Sequence, residues 1–162
     1  MSTPLSELEA VLGRLIDEHR RLLACMNDQQ AAMQAFDTDA MEDAVRRQDL
    51  SRLQIARLEE QRQRAVSRLL RPAPGQVITL ADIISRYPQR QRELGALRVE
   101  LRHVAEEITR RGQVLSKLTG SVLGHLNMVV RVIADAVEHT GLYQRDGTAR
   151  MSRRIGVMEA TA

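Results

Sequence analysis

Apolar side chains recur every three or four residues along the first fifth of the chain. Only two of the ten seam positions between residues 5 and 36 are polar, His19 and Gln29. This spacing is typical of helices that pack along a heptad seam. Pro4 favours a first helical turn. The pattern therefore predicts a helix over about residues 4–36, with the seam Leu5, Leu8, Leu12, Leu15, His19, Leu22, Met26, Gln29, Met33 and Phe36.

A second helix is predicted over about residues 39–70. Asp39 is the expected N-cap, with Glu42 as its capping-box partner three residues later. Leu50 and Leu53 fall off the main apolar stripe of this helix. A second apolar patch predicts contact with a third element. The main stripe comprises Met41, Ala44, Val45, Ile55, Leu58, Ala65, Val66 and Leu69.

Two prolines and a glycine in residues 72–75 end the second helix. Thr79 and Asp82 resemble a capping box for a short helix over about residues 80–86, which ends before Pro88. The last helix is predicted over about residues 89–140. At 1.5 Å per residue it would be about 75 Å long, against about 45 Å for each earlier helix, so it should overhang its partners. Its seam reads Leu94, Leu97, Leu101, Val104, Ile108, Arg111, Leu115, Leu118, Val122, His125, Val129, Val132 and Ala136.

From Leu118 onward this last helix is apolar on nearly all sides, yet it contains glycines. Gly112, Gly120 and Gly124 each cost up to about 1 kcal/mol relative to alanine. Either the glycines allow close helix approach in the core, or the segment is weak and becomes ordered on a partner. Gly141 predicts the helix end. Residues 141–162 lack periodicity and are expected to form a disordered basic tail.

These elements predict an all-α fold, an elongated antiparallel helical bundle over residues 1–140. It would consist of a helical hairpin, a short helix and one long C-terminal helix. Composition agrees, because aromatic residues make up only 2% of the chain and strands favour aromatic and β-branched residues.

Charge is distributed unevenly between the two hairpin arms. Residues 1–45 carry nine acids and three arginines, a net charge of −6, whereas residues 46–71 carry eight arginines and three acids, a net charge of +5. Opposite charges on consecutive helices favour an antiparallel hairpin. Because this pairing uses much of the positive charge, and aromatic platforms for bases are scarce, we expect no nucleic-acid binding.

No pattern of catalytic or cofactor chemistry is present in the sequence. His19, His103, His125 and His139 never stand four residues apart, and Cys25 is the single cysteine, expected to be buried and inert. We therefore expect no enzyme activity, no cofactor and no metal. The uncharged helical stretch from Leu118 to Val130 is shorter than the roughly 18 residues that span a bilayer. We expect neither a signal peptide nor membrane insertion, and a cytoplasmic location.

The order of these features resembles the FlgN family of flagellar type III export chaperones. A hairpin precedes a proline-containing loop, the short Thr79–Ile84 segment and a long helix follow, and the tail reads Tyr143-Gln144-Arg145-Asp146-Gly147. The resemblance implies a cytoplasmic chaperone whose clients are hook-associated proteins, which join hook to filament. It would bind their C-terminal helical regions, prevent premature assembly and deliver them to the export gate.

The resemblance also implies particular residues for each role. Tyr143 corresponds to the residue that docks to the cytoplasmic domain of the export gate. The client-binding residues would be Leu118, Val122, Leu126, Val129, Val130, Ile133 and Val137. Two other readings remain open: a self-associating coiled-coil scaffold, and a module that uses its arginines on a membrane surface or nucleic acid.

Overall fold

The chain folds into helices in a computed structural model that describes residues 4–71, 76 and 78–141, and of residues 137–141 the backbone alone. Helix α1 covers Pro4–Ala35, α2 covers Thr38–Leu70, α3 covers Leu80–Arg86, and α4 covers Gln91–Gly141 after a 3-10 turn at Pro88–Arg90. The described residues contain no strand. The all-α prediction, a hairpin packed with a long C-terminal helix, is confirmed.

The chain reverses between α1 and α2 within two residues. Phe36 has a left-handed φ of 54°, and the amide of Asp37 donates to the carbonyl of Ala32 at 3.0 Å. These are features of a Schellman ending. The Asp37 carboxylate then caps α2 by accepting from the amide of Ala40 at 3.0 Å. The predictions of Phe36 as a seam residue and Asp39 as the cap are wrong, because the reversal leaves Phe36 75% exposed and puts Asp37 at the cap.

One hydrophobic core joins all four helices. Leu8 and Leu12 from α1, Leu58 from α2, Ile83 from α3 and Leu94 from α4 are almost completely buried. Partly buried side chains from the same helices surround them, among them Ile55, Leu69, Ile84, Leu97 and Leu101. The first turns of α4 therefore pack on the hairpin, as the start of its heptad seam predicts.

Opposite charges connect the hairpin arms, as the uneven charge distribution predicts. Arg68 of α2 pairs with Glu7 of α1 at 2.9 Å, and Arg47 pairs with Asp28 at the same distance. The beginning of α4 adds a third link, because Arg20 of α1 pairs with Glu100. Pairs this exposed stabilise a fold weakly. They favour the antiparallel arrangement, whereas the core supplies most of the stability.

Three of the polar residues that interrupt the predicted seams have partners. His19 Nδ1 donates to the carbonyl of Leu15 at 2.7 Å, and Gln29 Oε1 accepts from Gln48 at 2.8 Å. Arg111 of α4 donates to Gln30 Oε1 at 2.5 Å. Cys25 is buried as expected, although Arg47 Nη1 lies 3.9 Å from its sulfur.

The apolar stripe predicted for α2 needs two corrections. Val45, expected within the stripe, is 39% exposed. Leu50 and Leu53, expected to meet a third element, are 64% and 60% exposed. Ala44, Gln48 and Ser51 instead turn toward the core and are buried. The small and polar side chains occupy the narrow space between α1 and α2, and the two leucines face away from it.

The chain divides into two units, residues 1–116 and residues 117–162. The first contains the hydrophobic core described above. The second contains the predicted client-binding residues. The single bundle predicted over residues 1–140 and the overhang of the last helix stay predictions, and the predicted disordered tail lies, apart from the backbone of Gly141, outside the described residues.

Candidate protein-binding face of the last helix

The part of α4 in the second unit carries large apolar side chains in contact with solvent. Leu126, Val129, Val130 and Ile133 are each between 44% and 62% exposed. Leu118 and Val122, at the beginning of this segment, are half-buried. Val137, the last of the seven predicted residues, lies beyond the side chains that the structure describes. Six of the seven predicted positions thus carry an apolar side chain that is at least partly accessible.

The seven predicted positions share one side of the helix. At 3.6 residues per turn they fall within about 120° of its circumference. We call this set the client face: Leu118, Val122, Leu126, Val129, Val130, Ile133 and Val137. A stripe of this width is the size that an amphipathic helix normally buries against a neighbour.

Apart from Met128, the opposite side of the segment is small and polar. Gly120, Gly124, Asn127 and Arg131 lie there by the same helical geometry. A Cβ atom added at Gly120 or Gly124 would meet no other described atom within 4 Å, whereas one at Gly112 would lie 3.8 Å from Met26 Cε. The described residues therefore make no close contact at Gly120 or Gly124, and both explanations of these two glycines stay predictions.

Further apolar side chains extend beyond the client face. Leu123, Met128 and Val132 are each more than half exposed. They are not among the seven predicted client-binding residues. Their signal was the loss of amphipathic contrast after Leu118, because a helix that is apolar on several sides is normally buried.

The segment presents an apolar surface with few charged side chains. No aspartate, glutamate, lysine or arginine occurs between Lys117 and Arg131. In the part of the chain that the structure describes, no group of three or more histidine, cysteine or acidic side chains could hold a metal ion. None of the described helices is long and apolar enough to cross a membrane. The arrangement is suited to packing against another apolar surface.

The sequence model of the FlgN protein family matches residues 1–151 of the chain. The chain belongs to the FlgN family. FlgN proteins are flagellar export chaperones for hook-associated proteins, so this FlgN protein is a chaperone and not an enzyme. Comparison with curated proteins gave no match, and neither did comparison with solved structures.

The FlgN match covers the first unit and residues 117–151 of the second, including the whole client face. It also extends over Tyr143, which lies outside the described residues, so the role predicted for this tyrosine stays a prediction. Hook-associated proteins are the partners of the family.

Proposed function

We propose that this FlgN chaperone binds the C-terminal helical regions of hook-associated proteins through the client face. In the cytoplasm it would keep these clients from assembling early and would deliver them to the export gate, where Tyr143 docks. The observation that carries the proposal is the exposed apolar surface of α4 between Leu118 and Ile133. Exposed apolar surfaces of this kind mark sites of protein interaction.

The spacing of the apolar residues indicates how the segment packs against a client helix. Its apolar positions at three- and four-residue spacing are those that one helix presents to another in helix-in-groove recognition. Gly120 and Gly124 lower the intrinsic stability of the helix by about 1 kcal/mol each. A segment that becomes ordered on its partner binds with lower affinity per unit of buried area. Such binding suits a carrier that must release its cargo at the gate.

The experiment is light scattering coupled to size-exclusion chromatography, with the chain alone and then mixed with the C-terminal segment of a hook-associated protein. We expect a one-to-one complex with the client and a monomer without it. A large self-assembly that ignores the client would contradict the proposal and favour the coiled-coil scaffold.

Val122→Asp with Val129→Asp tests the client face itself. The double variant should weaken client binding roughly 100-fold or more, because burying unpaired charge costs several kcal/mol. Asn127→Asp with Arg131→Gln is the matched control, since it changes the net charge equally on the opposite side. Titration calorimetry should show the control within about threefold of the wild-type affinity, and circular dichroism should show equal helix content. Equal losses in both variants would remove the client face from the proposal.

A further inference from the structure

The outer surface of α2 carries an apolar pair that the core does not use. Leu50 and Leu53 are 64% and 60% exposed. Arg46 stands one turn before them and Arg57 one turn after, so the four residues share one side of the helix. We call Arg46, Leu50, Leu53 and Arg57 the outer stripe. It belongs to the first unit, residues 1–116, whereas the client face belongs to the second.

A shallow groove links the outer stripe to α1. It is lined by Leu50, Leu53 and Arg57, and by the α2 residues Ser51 and Gln54 between them, with Glu18 and Arg21 from α1 on its far wall. The Glu18 side chain is 10% exposed, and its carboxylate accepts from Arg21 and Ser51. The groove thus combines two accessible leucines with arginine side chains from both helices.

The arginines of this surface are available to a partner. Within the described residues, the side chain of Arg57 makes no hydrogen bond or ion pair. Arg46 pairs only with Glu42 of its own helix, at 3.2 Å, and exposed helical pairs of this kind are weak and exchangeable. A partner with two carboxylates would therefore find one arginine at each end of the leucine pair. Neither arginine would have to give up a strong contact to bind it.

A second copy of this chain does not fit the outer stripe. In an antiparallel two-fold pairing that brings Leu50 against Leu53 of the second copy, Arg46 falls opposite Arg57 of that copy. In a parallel two-fold pairing each arginine faces its own counterpart. Both arrangements oppose like charges, which disfavours association. The chain's own tail is also unsuited, because residues 142–162 carry four arginines against two acids.

We propose that the outer stripe docks an acidic amphipathic helix of a protein other than the client. The fitting helix carries two apolar side chains three residues apart, with a carboxylate four residues before the first and four after the second. Packed antiparallel, it covers both leucines and pairs its carboxylates with Arg46 and Arg57. The chaperone would then hold a second protein while its client occupies α4. This inference stands on the first unit and does not depend on the client face.

The test uses the full chain and two designed helical peptides of about 18 residues, long enough to form a helix on binding. The first peptide carries the pattern Glu-x-x-x-Leu-x-x-Leu-x-x-x-Glu, and the second has lysine at both glutamate positions. Fluorescence anisotropy should show the acidic peptide binding at least about tenfold more tightly than the basic one. Equal binding of both peptides, or binding of neither, would overturn the proposal.

Variants of the chain separate the leucine contribution from the charge contribution. Leu50→Ser with Leu53→Ser should weaken binding of the acidic peptide at least about tenfold, and Arg46→Glu with Arg57→Glu should reverse the preference between the two peptides. Leu123→Ser on α4 is the control and should leave peptide binding unchanged. Since both leucines are exposed, circular dichroism should show folded variants. A wild-type dimer that Leu50→Ser with Leu53→Ser converts to a monomer would assign the stripe to a second copy and overturn the proposal.

Discussion

Single polar residues determine how α1 and α2 align along the hairpin. Ser51 Oγ donates to Glu18 Oε1 at 2.8 Å, and Gln48 Nε2 donates to Gln29 Oε1 at the same distance. Leucines in a heptad seam would pack almost equally well after a shift of seven residues. Buried polar groups would lose their partners in such a shift, and each loss costs free energy. These two pairs therefore specify one register.

Ser51→Ala tests this role at a single site. The substitution removes the hydroxyl donor from Glu18 Oε1, and we expect it to lower the free energy of unfolding by about 1–3 kcal/mol. Urea denaturation followed by circular dichroism measures the change. Ser67→Ala is the matched control, because Ser67 is exposed on the same helix; its effect should stay within about 0.5 kcal/mol. Equal effects at the two serines would contradict a register role for Ser51.

At the scale of the element, α3 depends on its capping box. Thr79 Oγ1 accepts from the amide of Asp82 at 3.2 Å, and Asp82 Oδ2 accepts from the amide of Thr79 at 2.8 Å. Asp82 Oδ2 also accepts from the Thr79 hydroxyl at 2.6 Å, and these hydrogen bonds lower the pKa of Asp82, the side-chain bond most of all. The box places Ile83 in the core, where it is fully buried.

The lowered pKa of Asp82 makes α3 sensitive to acid. The folded state favours the ionised carboxylate, so its contribution to stability is present above the ordinary pKa of an aspartate. It is lost as the pH falls through the lowered pKa. The protection factors of the α3 amides, which correct hydrogen exchange for its intrinsic pH dependence, should therefore fall as the pH drops below the ordinary pKa of an aspartate. In Asp82→Asn this part of the pH dependence should disappear; an unchanged acid response would assign it to other carboxylates.

Glycines lower the helix stability of the C-terminal part of α4. Gly120→Ala with Gly124→Ala should raise the helix content, since each alanine favours the helix by about 1 kcal/mol. Both sites lie opposite the client face, so client binding should become tighter as less order is gained on binding. Circular dichroism and titration calorimetry measure the two effects.

Gly95→Ala provides the control for the glycine prediction. A Cβ at Gly95 also meets no described atom within 4 Å, but Gly95 belongs to the first unit. This variant should leave client affinity unchanged. Weaker client binding in the Gly120 and Gly124 variant would show that the client contacts the glycine side of the helix.

At the scale of the whole molecule, the hydrophobic core and the client face belong to different units. Residues 1–116 contain the core and the outer stripe, and residues 117–162 contain the client face and Tyr143. If the two units act independently, a substitution in one unit should leave binding to the other unit unchanged.

Tyr143→Ala tests this division of labour. The variant should bind the client segment with unchanged affinity, because Tyr143 is not part of the client face, and should reduce motility and export of hook-associated proteins. A loss of about tenfold or more in affinity for the cytoplasmic domain of the gate is expected when an aromatic anchor is removed. Gln144→Ala is the neighbouring control. Parallel loss of client binding and export would contradict separate sites.

Local sequence patterns were enough to predict the helices, the end of α2 near Leu70 and the capping box of α3. These features depend on contacts between residues close in the chain, such as the bond between Thr79 and Asp82. The ordered features along the chain also predicted the FlgN family, which the family match confirmed. The seven residues of the client face followed from that resemblance. The structure adds that four of them are exposed and two half-buried.

Only the tertiary structure decided which apolar side chains are covered. Leu58 and Leu53 are both leucines of α2, yet the first is buried and the second exposed. A helical pattern shows which side chains share a face, but burial depends on what distant parts of the chain place against that face. The same holds for Phe36, because the tight reversal between α1 and α2 ended the helix at Ala35, one residue before this last seam position.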